Sequence, residues 1–160
     1  MKNFAIEIKW AIAATVLSLL WIFLEKSLGL YDANLKWQPL FSMLIGFVVI
    51  PLYYLAIRDK KKNFYNGIIT WKQGFFTGLI MTFFIMISSP LCQYLSHNFI
   101  APDFFEKAIT YTVNSKRMTQ TDAEAYFNLN SYITQSVSMM LSFGVIISGI
   151  VSYLLKSKNN

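Results

Sequence analysis

Arg58-Asp59-Lys60-Lys61-Lys62 stands between two long apolar runs, and its reading decides the fold. The run before it, Gln38 to Ile57, holds 20 residues without a charge, enough for roughly 30 Å of helix and a full bilayer crossing. The run after it, from about Gln73 to Ser96, is equally uncharged. A basic turn between two such runs predicts a transmembrane hairpin whose turn stays in the cytoplasm, beside anionic headgroups. Arg58, Lys60, Lys61 and Lys62 are therefore assigned to topology and anionic-lipid contact.

Two more apolar runs flank this hairpin. The first covers 8–29, with an uncharged centre from Trp10 to Leu24 and Gly29 as a stop. Lys2 and Lys9 precede it as in an export signal, but Glu25-Lys26-Ser27-Leu28-Gly29-Leu30 offers no small-x-small cleavage pattern, so the segment is expected to be retained. The last run covers 131–155 and ends in Lys156 and Lys158. The expected spans are thus 8–29, 38–57, 73–96 and 131–155 in one integral membrane domain, 1–160. Pro51 and Pro90 fall inside spans and each leaves a carbonyl four residues earlier without its helical donor, which predicts a kink in the inner half of the second span.

Between the third and fourth spans, residues 97–130 regain charge. Pro102 and Asp103 open one short amphipathic helix, with Phe104, Phe105, Ala108, Ile109 and Val113 on a face. Thr119 as N-cap with Asp122 three residues on opens a second, with Ala123, Tyr126 and Phe127 as its apolar side. These helices form the expected extracytoplasmic cap.

Counting charges orients the whole. With the basic turn inside, nine cations face two acids in the cytoplasm, and five cations face six acids outside, so both termini are expected to be cytoplasmic. The net charge of +6, with 55% apolar and 17% aromatic residues, follows from this flanking pattern; no basic face for nucleic acid is present. A single cysteine, Cys92, excludes an intrachain disulfide and any multi-cysteine metal site. No cofactor or metal is expected.

Polar groups converge at one depth, the outer third. Glu25 ends the first span, Ser89, Gln93 and His97 share a face of the third, and Ser131 and Gln135 share a face of the fourth. If those faces meet, Glu25, Gln93, His97 and Gln135 would line an outward vestibule for a ligand. The competing reading makes Gln93 and Gln135 interhelical hydrogen-bond partners, Glu25 an acid snorkelling to the interface, and His97 an interfacial anchor. Gly74 and Gly78 form a GxxxG, and Gly144, Ser148 and Ser152 repeat a small residue every four positions, a pattern that lets helices approach closely within the chain or between copies.

Several strings carry a family likeness: Glu7-Ile8-Lys9-Trp10, Leu24 to Leu30, Arg58 to Asn63, Trp71-Lys72-Gln73-Gly74-Phe75, Ser89-Pro90 with Gln93-Tyr94, and Met118 to Phe127. Together they resemble the bacterial membrane-protein family catalogued as domain of unknown function 4199, over nearly the whole chain and in order. The resemblance implies an inner-membrane protein of Gram-negative bacteria and brings no activity with it.

The expectation is an all-α membrane protein of four transmembrane helices with a short cap between the third and fourth. No enzyme signature and no charge at mid-membrane depth stand in the sequence, so a non-enzymatic accessory or scaffold protein is expected, working through its cap and small-residue faces on a membrane protein or a second copy. The alternative is a small-molecule or lipid-binding protein, or a passive transporter, using the vestibule.

Overall fold

The computed structural model describes residues 4–157, all of its regular structure helical. Lys2 and Lys158, both counted toward the cytoplasmic side, lie outside the described residues. Four helices are long and apolar enough to cross a membrane.

The first, α1 (Ala5–Ser27), ends where the sequence places a stop: Gly29 takes φ +69°, and Leu30 and Gly29 donate back to the carbonyls of Glu25 and Lys26, at 3.0 Å each. This closing pattern needs a left-handed residue, which glycine supplies without strain. A 3₁₀ turn (Leu35–Trp37) then leads into α2 (Gln38–Met43), with Pro39 in its first turn, and α3 (Ile45–Asn63) follows after a break at Leu44. The helix is continuous through Pro51, and the break in regular helix along the second apolar run falls earlier, at Leu44.

One correction concerns the basic stretch itself. Arg58 to Lys62 is no turn but the last turn and a half of α3, which runs on to Asn63. Lys60, Lys61 and Lys62 thereby sit at a helix C-terminus, where the backbone carbonyls favour cations. The reversal follows at Phe64–Gly67, with Asn66 and Gly67 at positive φ. Thr70 then caps α4 (Trp71–Leu95): its Oγ1 accepts from Gln73 N–H at 3.2 Å while Gln73 Oε1 accepts from Thr70 N–H at 2.8 Å. A π turn (Ser96–Ile100) leads to the connecting helices α5 (Phe104–Asn114) and α6 (Gln120–Tyr126), and α7 (Leu129–Leu155) completes the chain. Thr119 caps α6 as its spacing predicts, accepting from Asp122 N–H at 3.2 Å.

α4 and α7 make the most extensive pairing, and α1 and α3 pack on α4 while α3 also meets α7. The reason for the close pairing is in its small residues. A Cβ on Gly78 would lie 2.3 Å from Ser148 Oγ, one on Gly144 would lie 2.4 Å from the Thr82 side chain, and one on Gly74 would lie 2.9 Å from Ser152 Oγ. Backbone therefore meets side chain directly at three levels, each level one turn from the next. Tyr53 of α3 and Thr82 of α4 share a hydrogen bond of 2.7 Å within the same buried layer.

Outward faces carry the bulk instead: Ile12, Val16, Leu20 and Phe23 on α1, and Phe76, Phe83, Ile87 and Leu91 on α4, are all exposed. A smaller core joins the connecting helices to the bundle end, with Tyr31, Ala101, Phe104 and Ala108 buried together. The apolar face of α5 is therefore covered by the chain's own bundle, with Phe104 and Ala108 fully inside and Phe105 at the margin.

Candidate functional site

Two polar centres lie at opposite ends of the bundle. At the basic end, Lys60 reaches across from α3 to α1, its Nζ 2.9 Å and 3.2 Å from the two oxygens of Glu7. Both residues are almost wholly buried, Lys60 at 4% and Glu7 at 1% exposure. Beside them Asp59 accepts from Lys9, from Trp10 Nε1 at 2.8 Å and from Asn63 Nδ2 at 2.6 Å. Lys61 Nζ donates to the carbonyl of Leu155 at 2.9 Å, and Ser157 N–H donates to the carbonyl of Ile69 at 2.8 Å. The start of α1, the end of α3, the start of α4 and the end of α7 are thus tied together. Of the four cations assigned to topology and anionic lipid, Arg58 and Lys62 are exposed while Lys60 and Lys61 bind the chain itself.

At the cap end the centre is Glu25, 2% exposed on the last turns of α1. Its Oε1 accepts from Trp21 Nε1 at 3.0 Å and from Ser42 Oγ at 2.5 Å, and its Oε2 accepts from Tyr31 OH. Gln38 Nε2 donates to the same Ser42 at 2.8 Å, which directs the serine proton at the carboxyl. Burial, reinforced by the Glu25 carboxylate beside it, pushes the Tyr31 phenol far above its ordinary range, so Tyr31 acts as donor. One side chain therefore holds α1, the loop after it and α2 together, and Tyr31 carries the tie onward by packing edge-on against Phe104 of α5, ring centroids 5.0 Å apart. Glu25 does not snorkel; Trp21 stands one helical turn before it on α1, while Tyr31 and Ser42 are brought to it only by the fold of the loop and α2. Removing the Tyr31 hydroxyl alone, by Tyr31→Phe, leaves a buried carboxyl oxygen short of its donor. Such a loss costs about 1–3 kcal/mol, to be read as a lowered thermal midpoint in mild detergent.

The remaining residues of the expected vestibule are placed as follows. Gln93 and His97 do share a face, and Gln93 Oε1 lies 3.2 Å from His97 Nε2. His97 sits on the π turn, 8% exposed, between Phe104, Phe105 and Tyr132, with centroid distances of 5.2, 4.3 and 5.3 Å, and its Nδ1 has no partner among the described residues. It is a packed core histidine, not an anchor at the interface. Ser89 meets Ser136 of α7 at 2.7 Å, which leaves Gln135, one position earlier, half-buried on the neighbouring flank. Glu25 makes its hydrogen bonds with none of Gln93, His97 or Gln135. Near Pro90, the Ser88 hydroxyl donates to the carbonyls of Phe84 and Ile85, not to that of Met86.

The open feature at the cap end is a groove of about 470 Å³ between α5 and the segment before α2, lined by Asp32, Leu35, Lys36, Glu106, Thr110 and Tyr111 among others. A charge chain runs through its lining and is extended by Lys26 from outside it. Lys26 lies 3.5 Å from Asp32, Lys107 bonds Asp32, and Lys107 lies 3.6 Å from Asp103. The hydrogen bond from Lys107 holds the Asp32 carboxyl below its ordinary 3.8, and the same bond raises Lys107 above its ordinary 10.5. The lowered acid contributes fully above its unfolded value and is lost as pH falls through the folded one, while the raised ammonium contributes fully below 10.5 and is lost above it. This tie between cap and bundle should therefore persist from about pH 4 to pH 10, and side-chain NMR titration of Asp32 and Lys107 should show no detachment within that window. Among the described residues no group of three or more His, Cys, Asp or Glu side chains gathers as a metal site.

Fold and polar centres together define a class: an all-helical bundle of four long apolar helices, cross-tied by a buried ion pair at one end and by a buried carboxyl hub under a helical cap at the other. A family model described as Protein of unknown function (DUF4199) matches residues 9–157, and the chain belongs to that family. No curated protein and no solved structure matches it.

Proposed function

We propose that the chain is a four-span integral protein of a bacterial inner membrane, with both termini cytoplasmic and the helical cap outside, and that it acts as a non-enzymatic accessory or scaffold protein. The membrane reading is supported by the inverted distribution of side chains: bulky apolar groups such as Phe23, Phe83 and Ile87 point outward, while glycine, serine and threonine pack inward. Water would penalise so large an exposed apolar surface; hydrocarbon does not. Orientation is supported by Lys9, Arg58, Lys61, Lys62, Lys72 and Lys156 belonging to one end of the bundle.

One observation carries the non-enzymatic reading. The two buried carboxylates, Glu7 and Glu25, spend their hydrogen-bonding capacity on side chains of the same chain and join helices to each other. Groups so engaged hold a shape. The surfaces from which contact was expected are also spent, since the small-residue faces pack α4 on α7 and the apolar face of α5 packs on the bundle. Contact with a membrane partner or a second copy therefore falls to surfaces that stay open, of which Thr134, Ser138 and Ser142 along exposed α7 are the most distinctive. Their hydroxyls donate to carbonyls one turn back, at 2.9, 2.8 and 2.9 Å, which keeps these three short side chains against the helix backbone. A photo-crosslinker at Ser138 in native membranes should give one reproducible adduct that disappears when Thr134 and Ser142 are replaced by leucine. An adduct-free membrane, or one indifferent to those leucines, would remove the basis for this reading.

A further inference from the structure

The groove between α5 and the segment before α2 holds an ion pair that does not close. Three of its lining charges are neutralised internally: Asp32, Lys107 and Asp103 alternate in sign and pair, and Lys26 from outside the groove adds to Asp32. Two charges lining the groove are left over. Glu106, exposed on α5, has no hydrogen-bond or ion-pair partner among the described residues, and Lys36, exposed on the opposite wall, makes only a cation–π contact with Trp37 at 5.4 Å. Opposite charges on facing walls that fail to pair leave room between them for a molecule carrying both signs.

We propose that this groove binds a small zwitterion bearing a primary ammonium and an anionic group, of which ethanolamine phosphate is the simplest form, with its ammonium on Glu106 and its anion on Lys36. The volume of about 470 Å³ lies within the roughly 300–1,000 Å³ of small-ligand sites. The ammonium must be primary because the acceptors on that wall call for donors. Thr110 lies one turn beyond Glu106 on the same helix and lines the same groove, so a carboxylate and a hydroxyl oxygen are both available as acceptors, which a cation with N–H donors can use and a trimethylammonium cannot. A trimethylammonium group would need open aromatic faces instead, and the ring available, Tyr111, already has the Arg117 guanidinium over it at 5.6 Å. Lys36, held beside Trp37, presents its ammonium as a point charge suited to phosphate or carboxylate.

Two sources supply this chemistry: a phosphatidylethanolamine headgroup in the outer leaflet, and a free zwitterion in solution. The lipid source rests on the four-span reading above; binding in detergent, where every face is open, tests the groove apart from topology. The full chain in a mild maltoside detergent is titrated with phosphoethanolamine, phosphocholine and dihexanoyl phosphatidylethanolamine, followed by ligand-observed NMR and calorimetry. Phosphoethanolamine should bind at least about tenfold more tightly than phosphocholine, and Glu106→Gln and Lys36→Gln should each weaken it by about tenfold, near 1.4 kcal/mol. Both variants should keep the unliganded thermal midpoint, since Glu106 is unpartnered and Lys36 makes only an exposed cation–π contact with Trp37, and Lys62→Gln at the far end should bind as the parent does. Tighter binding of the short-chain lipid than of phosphoethanolamine assigns the site to the headgroup, and equal binding assigns it to the free solute. Absence of binding, equal affinity for phosphocholine, or indifference to both variants would overturn the proposal.

Discussion

Replacing Lys60 by alanine should destabilise the folded bundle by about 3–5 kcal/mol, the cost of leaving a buried charge without its counter-ion. The size of the effect follows from burial. Glu7 is 1% exposed and cannot recover its hydration once Lys60, which contacts both of its oxygens at 2.9 and 3.2 Å, is gone. An exposed pair would lose a fraction of this, and Lys9 with Asp59 supplies the comparison. Lys9 is 60% exposed on its side chain, and Trp10 and Asn63 still hold Asp59 when it is removed, so Lys9→Ala should cost at most about 1 kcal/mol. A double replacement, Glu7→Gln with Lys60→Met, separates the penalty of an orphaned charge from the worth of the pair. It should recover most of the lost stability, because neither remaining side chain carries an unpaired charge. Unfolding in mild detergent, followed by circular dichroism, gives all three values on one scale against the parent.

The second large effect is expected at Gly78. Alanine there would place its Cβ 2.3 Å from the Oγ of Ser148, 2.6 Å from its Cβ and 3.2 Å from its Cα. The first two clashes are with a side chain, but the third is with backbone, so rotation of the serine cannot relieve it and α7 must move off α4. Overpacking of this kind costs about 1–3 kcal/mol, and valine should exceed alanine. Ser148→Gly in the same chain removes the two worst clashes and leaves only the backbone approach, so it should restore a large part of the loss, a coupling that a double-mutant cycle measures directly. Gly46, with open space around its missing Cβ, is the control: alanine there should be neutral or mildly stabilising, since it favours helix without meeting anything.

Much of the fold was legible because apolar length and charge are local properties. The first, third and last long helices fall within a few residues of 8–29, 73–96 and 131–155, the second is broken at Leu44 and runs on past 57 to Asn63, and the Thr119 cap and the Gly29 stop stand at their positions. The end of α3 was misjudged for a physical reason. A run of charge reads as a solvent boundary, yet lysine is also a good helix former, and three lysines at a C-terminus meet a favourable field. Small-residue spacing named Gly74, Gly78, Gly144 and Ser148 as packing positions, and the structure pairs Gly78 with Ser148 and Gly144 with Thr82; the threonine was invisible because it belongs to no small-residue motif. The polar centres were the least legible. Glu7 and Lys60 are 53 positions apart and Glu25 and Ser42 are 17 apart, so no periodicity connects them. A signal did exist: Glu7 is one of only two acids on a side crowded with cations, and an acid in that setting invites a search for the lysine that matches its depth.

The central claim is that the basic end and the cap lie on opposite sides of a membrane, and site-specific thiol labelling tests it most directly. In a Cys92→Ala background, which removes the chain's own thiol, single cysteines at Asn63 and Asn114 are exposed to an impermeant maleimide in intact cells. Asn114→Cys should label at once, and Asn63→Cys only after the inner membrane is permeabilised. Labelling of both positions from outside, or of Asn63→Cys alone, would contradict the account.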